Sequence, residues 1–290
     1  MKKAYLLGLS LVVIGLLSGC GDSDSGSGSG SGEGGSSIIG GATSSTKVIT
    51  TVEDAKQAAA AFTQINSLSA FGSGIANTSS GPSRAASLAP HKQDCPYGGT
   101  MTTSGSYSDD GSDIDMTQSY NNCSQGSGME FDGSMRIQQE TSGNDISMRL
   151  DADNLRYQYG GASYNMNFSM DIDTNTHYNP MIMLLDGTIS MSDSGYDFKA
   201  EYNNFRVKTE DNYLNISGTV SMESDVYSCF DGTYTIETLS DLYMSGTGYS
   251  SGTMIVNGAT YSYSGSSVEI TLPNGDTSTV SQSELANSCN

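Results

Sequence analysis

The stretch Tyr164-Asn165-Met166-Asn167-Phe168-Ser169-Met170-Asp171-Ile172 decides the fold. Large apolar side chains take every second position, and Asn, Ser and Asp fill the gaps. Successive side chains of a strand point to opposite faces, so this pattern predicts a strand with one buried and one wet face. The same alternation recurs at Ile146-Met148-Leu150, Met181-Met183-Leu185, Ile216-Gly218-Val220-Met222 and Tyr261-Tyr263. Turn signals separate these runs at Asp109-Asp110-Gly111, Ser142-Gly143-Asn144-Asp145, Gly160-Gly161, Asp193-Ser194-Gly195, Asp211-Asn212, Asn257-Gly258 and Pro273-Asn274-Gly275-Asp276. No helical periodicity interrupts them, which leaves no room for parallel crossovers.

The strands also repeat. Phe131-Asp132-Gly133-Ser134-Met135 recurs as Leu185-Asp186-Gly187-Thr188-Ile189 and Phe230-Asp231-Gly232-Thr233-Tyr234. Alternation breaks in equivalent strands near Asp153-Asn154 and Asn203-Asn204, which predicts β-bulges there. The unit is a pair of hairpins of about 45–55 residues. The fold class is therefore mainly β: about a dozen strands in a long antiparallel meander of repeated hairpins. Such a meander must curl, as an open curled sheet or a closed barrel. Residues 95–290 form this β-domain. Residues 47–72 predict its one N-terminal helix: Thr50 or Thr51 caps it, and Glu53 and Asp54 lie in the first turn. Val52, Ala55, Ala59, Phe62 and Ile65 give a narrow apolar stripe. Residues 73–94 read as a linker.

Composition narrows the partners. The 290 residues carry 12 Lys+Arg against 32 Asp+Glu, a formal charge of -20. Nucleic acid is bound through clustered cations, so it is excluded as a partner. A membrane-spanning barrel wants aromatic girdles, and this chain has no Trp and no evident belts.

Residues 1–20 read MKKAYLLGLSLVVIGLLSGC. Lys2 and Lys3 precede an apolar run from Ala4 to Leu17, too short to span a bilayer comfortably and arranged as an export signal. The closing Leu17-Ser18-Gly19-Cys20 resembles the lipobox of bacterial lipoproteins. The resemblance covers these 20 residues only. It implies cleavage before Cys20 and acylation of that residue, hence a lipid-anchored protein. Gly21, where inner-membrane retention would favour Asp, implies the outer membrane, on its periplasmic face or at the cell surface. Residues 21–46 are a Gly/Ser-rich acidic tether, with a reach of roughly 25–30 Å as a random coil.

Chemical motifs are sparse. Gly248-Tyr249-Ser250-Ser251-Gly252 matches the GxSxG pattern of a hydrolase, but His91 and His177 both lie upstream and no helix follows. It reads as a turn. Asp171-Ile172-Asp173 imitates the opening of a calcium loop, yet Thr176 and Ile182 stand where Gly and Glu are required. Weak surface calcium binding remains compatible with so acidic a chain. Asp132, Asp186 and Asp231 each precede a Gly, which points to turn or bulge chemistry. No zinc, haem or redox motif is present. No catalytic residue, resident metal or cofactor is predicted.

Met supplies 14 residues. Core filling explains most of them, since Met adapts to irregular gaps. The alternative is an adaptable cavity for a hydrophobic ligand, lined by Met148, Met166, Phe168, Met170 and Met183. Four cysteines remain after Cys20, in a compartment that permits disulfides. The midpoint of Cys95 and Cys123 falls at Asp109, inside a turn signal, so a hairpin folded there would bring the two together. Cys229 and Cys289 then pair and tie the C-terminal end to the sheet. The expected function is a non-enzymatic, lipid-anchored envelope protein with a structural, adhesive or assembly role. The second reading is a carrier of lipid or another hydrophobic ligand.

Overall fold

A computed structural model describes residues 45–66, 86–108, 112–126, 128–159, 162–175, 180–193, 196–225, 231–245 and 248–288. A helix, α1 (Val52–Asn66), precedes the strands β1 (Ala86–Asp94), β2 (Thr100–Tyr107), β3 (Asp113–Gly126), β4 (Met129–Ser142) and β5 (Asp145–Tyr159). These continue as β6 (Ala162–Asn175), β7 (Met181–Asp193), β8 (Tyr196–Glu210), β9 (Tyr213–Ser224) and β10 (Gly232–Ser245). The last strands are β11 (Gly248–Val256), β12 (Ala259–Ser264), β13 (Ser267–Thr271) and β14 (Thr277–Ser281), followed by a short helix, α2 (Gln282–Asn287). All 14 strands form one sheet in sequence order, each antiparallel to the next, with β1 and β14 as its edges. The sheet is open and curls around its apolar face.

The period-two reading sets which face is buried. On β6, Tyr164, Met166, Phe168, Met170 and Ile172 are all buried, and the residues between them are more exposed. On β5, parity changes partway along. Met148, Leu150 and Ala152 are buried at even positions, then Leu155 and Tyr157 at odd ones. The switch is a bulge: pairing with β6 slips between Ala152 and Leu155, and Asn154 takes a left-handed backbone with φ 48°. On β8 the same device lies at Asn204 (φ 47°), between buried Tyr202 and Phe205. A third, at Asn122 (φ 45°), separates Tyr120 from Cys123 on β3. Asn tolerates this conformation better than most residues because its short polar side chain bonds locally. Here each bulge Asn donates its amide to the side-chain oxygen of the residue before it, at 3.2, 2.7 and 2.8 Å for Asn122, Asn154 and Asn204.

The Asp-Gly repeats serve the bulges. Asp186 Oδ1 accepts from the Asn204 backbone N–H at 2.6 Å, and Asp132 Oδ1 from that of Asn122 at 3.3 Å. Asp231 accepts from the Ser224 backbone at 2.7 Å. Gly133 (φ 94°) lies against the Asn154 carbonyl so closely that a Cβ would collide with it. The motif couples a bulge on one strand to a side-chain-free position on the next.

The helix starts at Val52, five residues after the start of the expected 47–72, and residues 67–72 lie outside the described residues. Thr51 Oγ1 accepts from the Asp54 N–H at 3.1 Å, and Asp54 Oδ2 accepts in return from the Thr51 N–H at 3.0 Å, which fixes the start of α1. Ala55, Ala58, Ala59, Ala60 and Ala61 are all buried, more than one stripe can account for. One broad side of the helix is buried while Glu53 stays exposed, and the small Ala side chains let that side pack closely. Its seat is the C-terminal part of the sheet: Tyr261 Oη on β12 donates to Ala55 O at 2.8 Å, and Ser288 Oγ after α2 to Lys56 O at 2.8 Å.

Three expectations need correction. The second half of the expected 73–94 linker is β1, which sequence patterning missed because Pro90 and an exposed, polar run hide any alternation. The expected 21–46 tether ends earlier, since residues 45–47 pair in parallel with Thr233 of β10. A second helix, α2, exists and is held by a capping box between Ser281 and Glu284.

Candidate functional site

Cys20, the expected acylation site, lies outside the described residues, as do Cys229 and Cys289. Cys95 and Cys123 are disulfide-bonded, with a Cα–Cα distance of 5.4 Å. The route to that pairing differs from a plain hairpin. Cys95 sits in the turn between β1 and β2, where its N–H bonds Gly99 O at 3.1 Å. Tyr97 and Gly98 extend the ladder to Ser124, at 3.1 and 2.9 Å. The bulge at Asn122 aims Cys123 inward to meet Cys95. The bridge therefore pins the β1–β2 turn to β3.

The five residues expected to line a ligand cavity share the inner face. Met148, Met166, Phe168, Met170 and Met183 are all buried in one continuous core. At one end of that face the core turns aromatic. The Phe131 ring lies 5.4 Å from Tyr120 and 5.0 Å from Tyr157, and Tyr157 lies 5.7 Å from Tyr164. Tyr120 Oη donates to the buried Gln118 Oε1 at 2.7 Å. Tyr157 is only 2% exposed, and its hydroxyl has no hydrogen-bond partner among the described residues. Burial pushes its phenol up. A buried hydroxyl without a partner is costly, so it marks a place where a polar atom is wanted.

The outer face is mainly polar, with Leu184 and Leu239 as exposed apolar exceptions. Arg136 on β4 grips Asp115 on β3 through two hydrogen bonds, Nε–Oδ1 at 2.8 Å and Nη2–Oδ2 at 2.7 Å. That grip holds the Asp115 carboxyl below its usual range. Arg149 bonds Asp151 at 3.0 Å and reaches Asp171 at 3.5 Å. Burial works to raise the Asp151 carboxyl, but hydrogen bonds from Arg149 and Ser169 outweigh it and hold the group low. These exposed pairs contribute little to stability individually. They give this part of the surface charge of both signs.

A cleft of about 210 Å³ opens on this outer face across β4 to β7. Asp132, Asn154 and Arg156 form one side, Asn165, Met166 and Asn167 the centre, and Thr188 and Ser190 the far side. The bulge at Asn154 and the slip of register between Asp132 and Ser134 create the depression. Arg156 stands opposite Asp132 in the β4–β5 register and Asn165 in the β5–β6 register. Its Nε donates to Ser163 Oγ at 3.3 Å, and among the described residues no carboxylate forms an ion pair with it. Sequence reasoning had no signal for this site, because its walls come from four strands whose register is invisible in the chain.

The remaining motifs resolve into strand. Gly248–Gly252 lies within β11 and is not the turn expected of it, nor the strand-to-helix elbow that a hydrolase needs. Asp171 and Asp173 sit on β6, facing Arg149 and Ser147 of β5, with Ser147 Oγ donating to Asp173 at 2.6 Å. Among the described residues no three His, Cys, Asp or Glu side chains converge as a metal site. Comparison with family models, with curated proteins and with solved structures finds no match to this chain.

Proposed function

We propose that the chain is a non-enzymatic, lipid-anchored protein of the bacterial outer membrane, held through acylated Cys20, which works through its polar outer face in adhesion, assembly or envelope structure. The observation that carries this reading is the division of labour between the faces. Met148, Met170 and Met183 are 7%, 1% and 1% exposed, so the apolar face is consumed by the fold. Ion pairs such as Arg136–Asp115 and Arg149–Asp171 occupy the other face, where charge in contact with lipid tails would be destabilising. Attachment through the N-terminus leaves that face free for partners. Replacing Cys20 with Ala should release the protein from membranes into the soluble envelope fraction. Crosslinking of the wild-type chain in intact cells should trap a discrete envelope partner on the outer face. A C20A variant that stays wholly with membranes contradicts the anchor, and the absence of any discrete crosslink contradicts the role.

A second reading, carriage of a hydrophobic ligand on the inner face, is favoured by the unpartnered Tyr157 hydroxyl within its aromatic cluster. Native mass spectrometry of protein taken from its own envelope tests it, since a carrier should arrive with lipid bound.

A further inference from the structure

We infer that the outer cleft over the β5 bulge is a binding subsite for one ring of a neutral, hydroxyl-rich saccharide. The inference rests on the reading of the outer face as the working surface, and it assigns that surface a ligand class.

The lining selects the ligand by elimination. Three asparagines (Asn154, Asn165 and Asn167) and two hydroxyl residues (Thr188 and Ser190) line the cleft. Met166 adds an apolar contribution to the lining, which suits the CH face of a sugar ring, but a wholly apolar group lodged there would strand the surrounding donors and acceptors without partners. A hard cation such as calcium wants six to eight oxygens with several carboxylates, and Asp132 is the one carboxylate in the lining. An anion would find Arg156, but Asp132 opposes it across the strand pair, and the chain as a whole carries -20. The next strand repeats the balance, with Lys199 beside Ser190 and Glu201 beside Thr188 in the β7–β8 register. Charge of both signs in the cleft and on the strand beside it gives no net attraction for an ion.

What remains is a neutral group rich in hydroxyls. Each Asn amide presents a donor and an acceptor side by side, which matches two adjacent hydroxyls of a sugar ring. Arg156 adds donors in a fixed plane, and Asp132 adds acceptors. Asn165 and Asn167 are two residues apart on β6, so their side chains stand on the same face. A sheet holds such groups more rigidly than a loop, which lowers the ordering cost of binding. The volume of about 210 Å³ falls below that of a pocket for a whole drug-sized ligand. It suits one ring at the end or branch of a chain whose remainder lies over the solvated sheet.

The test uses the full acylated chain in lipid nanodiscs, because sugar-headed detergents would compete. Maltose, cellobiose and N,N′-diacetylchitobiose are titrated by saturation-transfer NMR, beside galacturonate and calcium chloride as charged comparators. At least one neutral disaccharide should saturate the protein at millimolar concentration. Asn167→Ala should weaken that binding about tenfold, while Asn215→Ala, on the outer face of β9, should leave it unchanged. A matched urea midpoint for both variants confirms that each is folded. If the first variant alone fails to fold, Thr188→Val replaces it. The inference is overturned if no neutral disaccharide saturates, if both variants bind equally, or if galacturonate or calcium is preferred. Release of a C20A variant and envelope crosslinking report on the anchor and the role separately, so failure of that broader reading does not mimic failure of the cleft.

Discussion

The phenolic hydroxyl of Tyr261 donates to the carbonyl oxygen of Ala55 at 2.8 Å, joining the twelfth strand to the first helix across 206 residues of chain. Nearby, Asn257 Nδ2 donates to Lys47 O and Thr233 O, each at 2.8 Å, and locks the segment before the helix to β10. Tyr261→Phe removes one net hydrogen bond and should lower stability by about 1 kcal/mol in urea denaturation. Ala58→Leu should cost more, about 1–3 kcal/mol, because Ala58 is fully buried and added methylenes would overpack its surroundings.

The bulges make a sharper prediction. Asn204→Ala places a residue without local bonding in a left-handed backbone and should destabilise by roughly 1–2 kcal/mol. Asn204→Gly, free of that strain, should be close to neutral. Gly218→Ala should be worse than either, since its Cβ would lie 2.5 Å from the Asn204 carbonyl oxygen. A ranking in which Asn204→Gly is the most damaging would refute the backbone account.

Alkali should unfold the protein before its phenols ionise in place. Burial pushes the hydroxyls of Tyr202, Tyr234, Tyr261 and Tyr263 well above the usual tyrosine value. In the unfolded chain they lose protons near pH 10, about where free tyrosine does. The folded state therefore holds more protons above that pH. Stability is fully present below about pH 10 and falls as pH rises, by about 1.4 kcal/mol per pH unit for each phenol still protonated in the fold. Urea midpoints measured on either side of that pH should drop steeply, with tyrosinate absorbance rising together with unfolding.

Reduction tests the covalent link. The Cys95–Cys123 bridge closes a separation of 28 residues, and its loss should cost about 3–4 kcal/mol in the chain-entropy model. Peptide mapping without reduction should recover this pair, and Cys229 joined to Cys289. A Cys123–Cys229 peptide would sink both.

Much of this architecture was legible in the chain because alternation is a local signal. The bulges at Asn154 and Asn204 were legible for the same reason: buried parity switches from Ala152 to Leu155 and from Tyr202 to Phe205. β1 was not. Its residues His91 to Asp94 are all exposed, so no buried face wrote a pattern into them. The Cys95–Cys123 pairing was read from symmetry about a turn, yet the contact comes from a turn and a bulge that the arithmetic did not contain. Asp132, Arg156, Asn165 and Ser190 meet only once register is fixed, and register is a property of the sheet, not of any one strand.

The order of the strands has a kinetic meaning. Among the described residues, each of the 14 strands pairs with its neighbours in sequence, so hairpins can add one by one like teeth of a zip, each with a short loop to close. The clasp around α1 and the segment before it spans the chain, through the Thr46–Thr233 bridge and through separations of 206, 210 and 232 residues at Tyr261, Asn257 and Ser288. The clasp must close last. Changes there should leave the rate of folding nearly untouched and hasten unfolding, so that the lifetime of the finished molecule, more than its assembly, rests on a helix of alanines.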